Sequence, residues 1–194
     1  PDGHTMATID LNDVVSLWDI QRGLRVNAYP IYRSVIWALA FHPAGERMVT
    51  GGADAAIYLW DVRSGQPAHL ARRLTGAQHR AMTIAFHADG KTVASADGND
   101  IQLWDVQARR LLRTLHGHSG AISRLAFHPA GHQLASSGDR TIRLWSIARG
   151  QPVRQFHGHT STVTCCRFSP PLRDGLSAPN YLLASGSLDQ TVLV

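Results

Sequence analysis

Three residues in the second half of the chain are of the types that form a hydrolytic site. His118, Ser136 and Asp139 are a base, a nucleophile and a carboxylate, the set that activates serine in many hydrolases. Such a site also needs an exposed nucleophile and donors for an oxyanion. The same types recur further along the chain, as His159, Ser185 and Asp189. A repeated set is typical of a structural element rather than of a single active site, so the sequence predicts no catalysis.

Two further patterns resemble binding sites without completing them. Gly90-Lys91-Thr92 is like the end of a phosphate-binding loop, but Ala85 stands where the motif needs glycine and no helical pattern follows. Two pairs of histidines are spaced to share one face of a strand, and zinc would need two more converging ligands beside either pair. The pairs are His116 with His118, and His157 with His159. The sequence therefore predicts neither a metal site nor a cofactor.

A repeated hairpin positions these residues. The stretch from Gly131 to Ser146 contains a short strand pattern from Gln133 to Ser136, a polar turn, and an alternating run that ends at Trp145. Related stretches end at Trp18, Trp60 and Trp104, so successive tryptophans lie 42, 44 and 41 residues apart. Strand patterns that repeat about every 40 residues predict an all-β fold, a β-propeller of about five blades.

Each repeat is expected to supply four strands, which we call a, b, c and d in chain order. The repeats predicted within this single domain span approximately residues 1–29, 30–74, 75–115, 116–156 and 157–194. The first repeat lacks strand a and the last lacks strand d, so the two cannot complete one shared blade. We therefore expect an open arc of a larger ring, typically of about seven blades, whose partners include the rest of its own propeller.

The pattern resembles the WD-repeat family of β-propellers. The Trp-Asp dipeptide of that family occurs at Trp18, Trp60 and Trp104, while Trp145 is followed by serine. Gly-His dipeptides stand at 117–118 and 158–159. The resemblance implies that a buried, hydrogen-bonded set of His, Ser or Thr, Asp and Trp braces each blade.

Carried over by position, this brace is complete only in the fourth blade, and the other blades are expected to depend more on packing. The fourth blade has His118, Ser136, Asp139 and Trp145. The fifth has His159, Ser185 and Asp189. The second has Thr50, Asp54 and Trp60, with Tyr32 in place of the histidine. The third has Ser95 and Trp104, with Ala77 and Gly98 at the other two positions, and the first has Thr8 and Trp18, with Asn12 at the carboxylate position.

Composition narrows the class of protein. A hydrophobic content of 44% and a charged content of 17% are typical of a folded chain and exclude a disordered one. The net charge is +5, but acidic residues nearly offset the arginines of the a–b and c–d turns, and no basic stripe with interleaved aromatics indicates nucleic acid. The longest apolar run, 35–41, is too short to cross a membrane. Cys165 and Cys166 are adjacent and form no disulfide framework, which indicates an intracellular protein.

The sequence predicts a non-catalytic scaffold that binds other proteins or peptides through loops at the blade ends. The predicted contacts lie where the d–a and b–c segments depart from the repeat: Tyr29, Tyr32, Arg33, Gln78, His79, Arg80, Asn99 and Arg140. One alternative is a sensory or regulatory propeller fused to a signalling ATPase or kinase in a longer chain. Another is the substrate receptor of a cullin ubiquitin ligase, because Trp60-Asp61-Val62-Arg63 resembles the Trp-Asp-x-Arg box of such receptors.

Overall fold

The computed structural model describes residues 3–30, 35–62, 69–74, 80–171 and 181–194, and the regular elements in these ranges are all β strands. They form five antiparallel sheets in chain order. The first holds β1 (Thr5–Ile9), β2 (Val14–Asp19) and β3 (Leu24–Pro30). The second holds β4 (Ile36–Phe41), β5 (Arg47–Gly52), β6 (Ile57–Asp61) and β7 (His69–Leu74), and the third holds β8 (Thr83–Phe86), β9 (Thr92–Asp97), β10 (Asp100–Asp105) and β11 (Arg110–His116). The fourth holds β12 (Ile122–Phe127), β13 (Gln133–Gly138), β14 (Thr141–Ser146) and β15 (Gln151–Phe156), and the fifth holds β16 (Val163–Phe168), β17 (Leu183–Ser187) and β18 (Val192–Leu193).

The sheets are the blades of a β-propeller. Their first strands, from β4 through β8 and β12 to β16, contact one another in succession, and apolar clusters fill the space between neighbouring sheets. Within the described residues the first and last sheets have three strands and the others have four. The prediction of an all-β propeller of about five blades is confirmed. Membership of a larger ring stays a prediction.

Strand β10 shows how one blade supplies two of these clusters. Trp104 packs against the second blade, whereas Leu103 packs against the fourth. Neighbouring side chains on a strand point to opposite faces, so two consecutive apolar residues bury both faces of the sheet. Both residues are almost fully buried.

The two ends of the propeller carry different connections. We call the end with the d–a connections and b–c turns the upper face, and the end with the a–b and c–d turns the lower face. On the upper face, the N–H of Ile36 donates to the Asp13 carboxylate at 2.9 Å, and that of Ile122 donates to the Gly98 carbonyl at 2.7 Å. Each bond runs from the start of an inner strand to the b–c turn of the preceding blade.

Histidines link neighbouring blades on the lower face. Nε2 of His42 lies 3.1 Å from the Gly90 carbonyl, and Nε2 of His87 lies 2.6 Å from that of Gly131. The N–H of Ala44 donates to Nδ1 of His42, which leaves the ring proton on Nε2 for the link. Gly90 has a φ of 66°, and a Cβ there would lie 2.4 Å from Nε2 of His42. Only glycine therefore fits this turn without displacing the ring.

The second strands run further than the sequence indicated. The fourth-blade strand, expected to end at Ser136, continues to Gly138. Its counterpart β5 continues to Gly52, where a Cβ would lie only 1.9 Å from the Val35 carbonyl. Small residues at these ends let the start of the same blade's inner strand approach the backbone closely. In the described part of the chain, no helix is long and apolar enough to cross a membrane.

Candidate functional site

A chain of hydrogen bonds runs through the fourth blade. The indole Nε1 of Trp145 donates to the Ser136 hydroxyl at 2.8 Å, and that hydroxyl lies 2.7 Å from Nε2 of His118. Nδ1 of His118 lies 3.2 Å from a carboxylate oxygen of Asp139. The set therefore joins the connection before β12 to β13, to the b–c turn and to β14. Ser136, Trp145 and His118 are buried.

The donors and acceptors determine where the protons lie in this series of hydrogen bonds. An indole N–H can only donate, so the Ser136 oxygen accepts from Trp145, and a carboxylate can only accept, so Nδ1 of His118 donates to Asp139. In the neutral ring of His118 the proton is therefore on Nδ1, and Nε2 accepts the proton of the Ser136 hydroxyl. Burial lowers the pKa of His118 below its ordinary value of 6.5, against the opposing effect of the Asp139 carboxylate.

Asp139 closes the turn between β13 and β14. Its carboxylate accepts from the Thr141 hydroxyl at 2.7 Å and from the Ser119 N–H at 3.0 Å. Burial by itself would raise the pKa of Asp139. The bonds from Thr141, Ser119 and His118 lower it more, so the pKa lies well below its ordinary value of 3.8. The residue has a φ of 30°, on the left-handed side that aspartate tolerates better than most residues.

The fifth blade repeats this arrangement. His159 Nε2 lies 3.0 Å from the Ser185 hydroxyl, and its Nδ1 lies 3.0 Å from the Asp189 carboxylate. The Thr191 hydroxyl donates to Asp189 at 2.6 Å, and this bond is the largest contribution that lowers the pKa of Asp189. Two adjacent blades thus carry the same set of histidine, serine and aspartate in the same geometry.

In the first three blades the bond from tryptophan to a hydroxyl recurs. It joins Trp18 to Thr8 at 2.9 Å, Trp60 to Thr50 at 2.9 Å, and Trp104 to Ser95 at 3.0 Å. Each bond ties strand c to strand b across the same register. This pair is therefore the part of the brace that the first four blades share.

The second blade satisfies its carboxylate with a residue that the sequence did not indicate. The buried Tyr58 hydroxyl donates to Asp54 at 2.5 Å. The guanidinium of Arg73 lies 5.7 Å from the centre of the Tyr58 ring. Tyr58 stands two residues before Trp60, so both project from one face of β6. Tyr32 and Ala77, which stand at the histidine position of the second and third blades, lie outside the described residues.

Asn12 does not replace the turn carboxylate of the first blade, as its position had indicated. Its side chain is exposed, and its N–H donates to the Asp10 carboxylate at 2.8 Å. Asp10 also accepts from the N–H of Val14, so it closes the turn by itself. The neighbouring Asp13 is left to bond Ile36 of the second blade.

The geometry of His118, Ser136 and Asp139 is that of a brace and does not suit a nucleophile. Ser136 has no exposed surface, and its hydroxyl is occupied by Trp145 on one side and His118 on the other. An acyl substrate could not reach the oxygen without opening the blade. His116, the other member of the histidine pair, instead contacts Asp100 at 2.8 Å on the surface. In the described residues no group of three or more His, Cys, Asp or Glu side chains is arranged to hold a metal ion.

The adjacent cysteines are both free and lie in different surroundings. Cys165 is exposed, while Cys166 is buried between the fourth and fifth blades. Burial raises the pKa of the Cys166 thiol to about 11, so it stays protonated at neutral pH. This residue therefore packs as a small apolar side chain.

The predicted protein contacts have mixed outcomes. Tyr29 is buried in the cluster between the first and second blades, so its selection as a surface contact was wrong. The reason is that β3 directs it inward, which the aromatic residue type alone does not reveal. Arg80, Asn99 and Arg140 are exposed on the upper face. Tyr32, Arg33, Gln78 and His79 lie outside the described residues, as does Arg63.

The sequence analysis missed an apolar surface around Arg80. Val35, Trp37 and Met82 are exposed by 51%, 37% and 49%, and the Arg80 guanidinium lies 5.6 Å from the centre of the Trp37 ring. We call these four residues the Trp37 surface. A β-bulge between Ile36 and Ala38 turns Trp37 out of the regular alternation.

The Trp37 surface belongs to one side of the upper face. By repeat position, Ser123 of the fourth blade and Thr164 of the fifth correspond to Trp37 and Met82, and both also lie at bulges. The second and third blades are therefore apolar at a position that is polar in the next two. A comparison of the repeats position by position could have revealed this difference in the sequence.

Five blades that pack in succession, four of which share a tryptophan-to-hydroxyl bond, define a repeat β-propeller. The family profile described as "WD40: WD domain, G-beta repeat" matches residues 27–61, 69–105, 109–146 and 150–194. The chain belongs to the WD-repeat family, as the resemblance of its motifs implied.

The chain is similar to several proteins over about half of its length. "Transducin beta-like protein 3" of Bos taurus is 30% identical over 116 residues, which are 58% of this chain and 14% of the relative. "Denticleless protein homolog B" of Xenopus laevis is 26% identical over 113 residues, 55% of this chain and 16% of the relative. "Activating molecule in BECN1-regulated autophagy protein 1A" of Danio rerio is 26% identical over 106 residues, 54% of this chain and 8% of the relative. The chain spans less than a fifth of the length of these relatives.

Proposed function

We propose that this chain is a non-catalytic protein-binding module whose anchor is the Trp37 surface. The observation that carries the proposal is the exposed tryptophan stacked with an arginine on the upper face. Tryptophan and arginine are the residues most often found to dominate binding energy at protein interfaces. Because both faces of each blade are buried, a propeller binds its partners through the loops at its ends and through its rim.

The rigidity of the surroundings supports this role. Trp37 lies on β4 between two residues that are held in place. Ile36 is hydrogen-bonded to Asp13 of the first blade, and Ala38 is buried against the third blade. An anchor held by such elements loses little conformational freedom when a partner binds. The WD-repeat fold typically serves as an interaction scaffold, and the buried fourth-blade brace is consistent with that use.

Site-specific photo-crosslinking tests the proposal. A photoreactive amino acid at Met82 is compared with one at Ser123, the corresponding position of the next blade, in lysate from the organism that encodes the chain. We expect discrete protein adducts from position 82 that disappear when Trp37→Ala is added. Equal adducts from both positions, or adducts at 82 that survive Trp37→Ala, would show that the Trp37 surface is not the anchor.

The other two functions stay hypotheses. The ubiquitin-ligase receptor depends on Arg63, which lies outside the described residues. It predicts adaptor binding that Arg63→Ala abolishes. The regulatory propeller fused to an enzyme depends on sequence beyond this chain. No contact among the described residues favours either one.

A further inference from the structure

The four inner strands, β4, β8, β12 and β16, carry two positive charges and no negative one. Arg124 lies on β12 and Arg167 lies on β16, and both side chains are exposed. The other residues of these strands are apolar, or polar and uncharged. The near balance of charge in the a–b and c–d turns therefore does not extend to the inner strands.

Both arginines line a cavity of about 400 Å³ on the inner side of the blades, which we call the inner cavity. Apart from Pro129 of an a–b turn, its lining residues belong to the inner strands, so it lies toward the lower face. Its volume is within the range of ligand-binding pockets, roughly 300–1,000 Å³.

Neither arginine of the inner cavity is neutralised by the chain. Arg113, on an outer strand, donates to the Ala148 carbonyl. By contrast, Arg124 and Arg167 have no hydrogen-bond or ion-pair partner among the described residues. The described lining of the cavity contains no aspartate or glutamate either. Because a guanidinium binds a carboxylate through two parallel N–H donors, the inner cavity offers two such groups to a ligand.

Strands β4 and β8 give the inner cavity an apolar wall. The residues of this wall are Leu39, Ala40, Ile84, Ala85 and Phe86. Both cations come from the next two blades, on β12 and β16. A polyphosphate would meet apolar side chains that cannot neutralise its charge, whereas a peptide of apolar and acidic residues suits both parts of the cavity.

The phenylalanines of the inner cavity pack against histidines of the preceding blade. The rings meet edge to face with centroids 5.2, 4.9 and 4.8 Å apart, and the pairs are His42 with Phe86, His87 with Phe127, and His128 with Phe168. Single-stranded nucleic acid stacks successive bases on aromatic side chains. Rings packed within the protein in this way do not form such a platform, so a peptide suits the cavity better than nucleic acid.

We propose that the inner cavity binds an acidic segment of a partner protein, which places apolar side chains against β4 and β8 and carboxylates at Arg124 and Arg167. The inner cavity is separate from the Trp37 surface, so this inference goes beyond the proposed function and does not depend on it. A basic segment would meet the two arginines with like charge, and the cavity would therefore select against it.

Fluorescence polarisation with three pools of short labelled peptides tests the inference. The pools share leucine and valine and differ in their remaining residues, which are aspartate and glutamate, lysine and arginine, or serine and glycine. We expect the acidic pool to bind about tenfold more tightly than the neutral pool, and the basic pool most weakly. Equal binding of the acidic and neutral pools would overturn the inference.

Charge-reversing variants locate the binding. Arg124→Glu combined with Arg167→Glu should reverse the order of the acidic and basic pools. Arg110→Glu combined with Arg149→Glu makes the same change in net charge at exposed positions of the lower face and should preserve the order. If both pairs have the same effect, net charge determines the preference and the inference is wrong. Arg124→Gln with Arg167→Gln adds no carboxylate and should abolish the acidic preference, and thermal unfolding verifies that each variant is folded.

Two further measurements distinguish other ligands and the other surface. Labelled oligouridine or inorganic tripolyphosphate that binds more tightly than every peptide pool would assign the inner cavity to phosphates and overturn the inference. Trp37→Ala should leave the acidic preference unchanged. If Trp37→Ala removes that preference and the Arg124 and Arg167 variants retain it, the inference fails while the proposed function stands.

Discussion

The fourth and second blades satisfy their turn aspartate and their tryptophan with different residues. In the fourth, a buried histidine joins the serine, the turn aspartate and the tryptophan into one chain of hydrogen bonds. In the second, Tyr58 donates to Asp54 from the strand that follows the turn, and Trp60 donates separately to Thr50. The described parts of the two sheets have the same strand order. The difference shows that the blade requires each polar group to be satisfied, without requiring one particular set of residues.

The same two blades differ on the upper face. The fourth has Ser123 at its inner bulge, where the second has Trp37. A serine there is compatible with solvent, whereas burying an exposed tryptophan under a partner is energetically favourable. The regular blade thus contributes stability, and we infer that the irregular one contributes recognition.

The largest expected effect comes from removing the buried tryptophan of the regular blade. Trp145→Ala should lower the free energy of unfolding by about 3–5 kcal/mol, because it leaves a cavity between the third and fourth blades and removes a donor from Ser136. Urea unfolding measures the loss. The matched substitution Trp18→Ala, in the less buried first blade, should cost less. An equal or larger loss for Trp18→Ala would contradict the expectation that the fourth blade contributes more to the free energy of unfolding than the first.

The next effect concerns the two turn carboxylates. Asp139→Asn should cost about 1–3 kcal/mol, because an amide cannot accept as many of the bonds that Thr141, Ser119 and His118 direct at this site. Asp54→Asn should cost less, since the amide oxygen can still accept from Tyr58. Chemical denaturation at neutral pH compares the two variants. A smaller loss for Asp139→Asn would show that its bonds to the turn contribute little.

Acid should weaken the regular blade first. Because the pKa of His118 is lowered by burial, its contribution to stability is complete above pH 6.5 and is lost as the pH falls below that value. The pKa of Asp139 is also lowered, so a second loss follows below its ordinary value of 3.8.

Unfolding free energies measured from about pH 8 to about pH 3 should therefore fall in two stages. His118→Gln should reduce the first stage, while His116→Gln, at an exposed site, should leave it in place. An unchanged first stage in His118→Gln would assign the loss to another histidine.

The smallest effect on stability is expected at the Trp37 surface. Trp37→Ala should change the free energy of unfolding by about 1 kcal/mol or less, because it removes a partly exposed ring and its contact with Arg80. Its effect should appear in partner binding instead. Ser123→Ala serves as the control for both measurements. A Trp37→Ala loss as large as that of Trp145→Ala would mean that Trp37 is chiefly structural.

Much of this architecture could be predicted because short-range sequence patterns specify the strands and turns of each repeat. The four spaced tryptophans, the alternating strands and the Gly-His dipeptides each follow from short-range rules for strands and turns. The residues of the fourth-blade brace could also be named in advance, because each occupies a fixed position relative to Trp145. Tyr29 could not be assigned correctly, since its burial depends on the neighbouring blade.

By itself, the sequence determined the fold class, the number of repeats, and the residues of the regular brace, because these depend on residue type and spacing within one repeat. The tertiary structure alone decided that His42 bonds Gly90 of the next blade and that a bulge exposes Trp37 beside Arg80. These contacts join different strands or different blades. Their geometry is set by how neighbouring sheets pack against each other, and no pattern within one repeat specifies that packing.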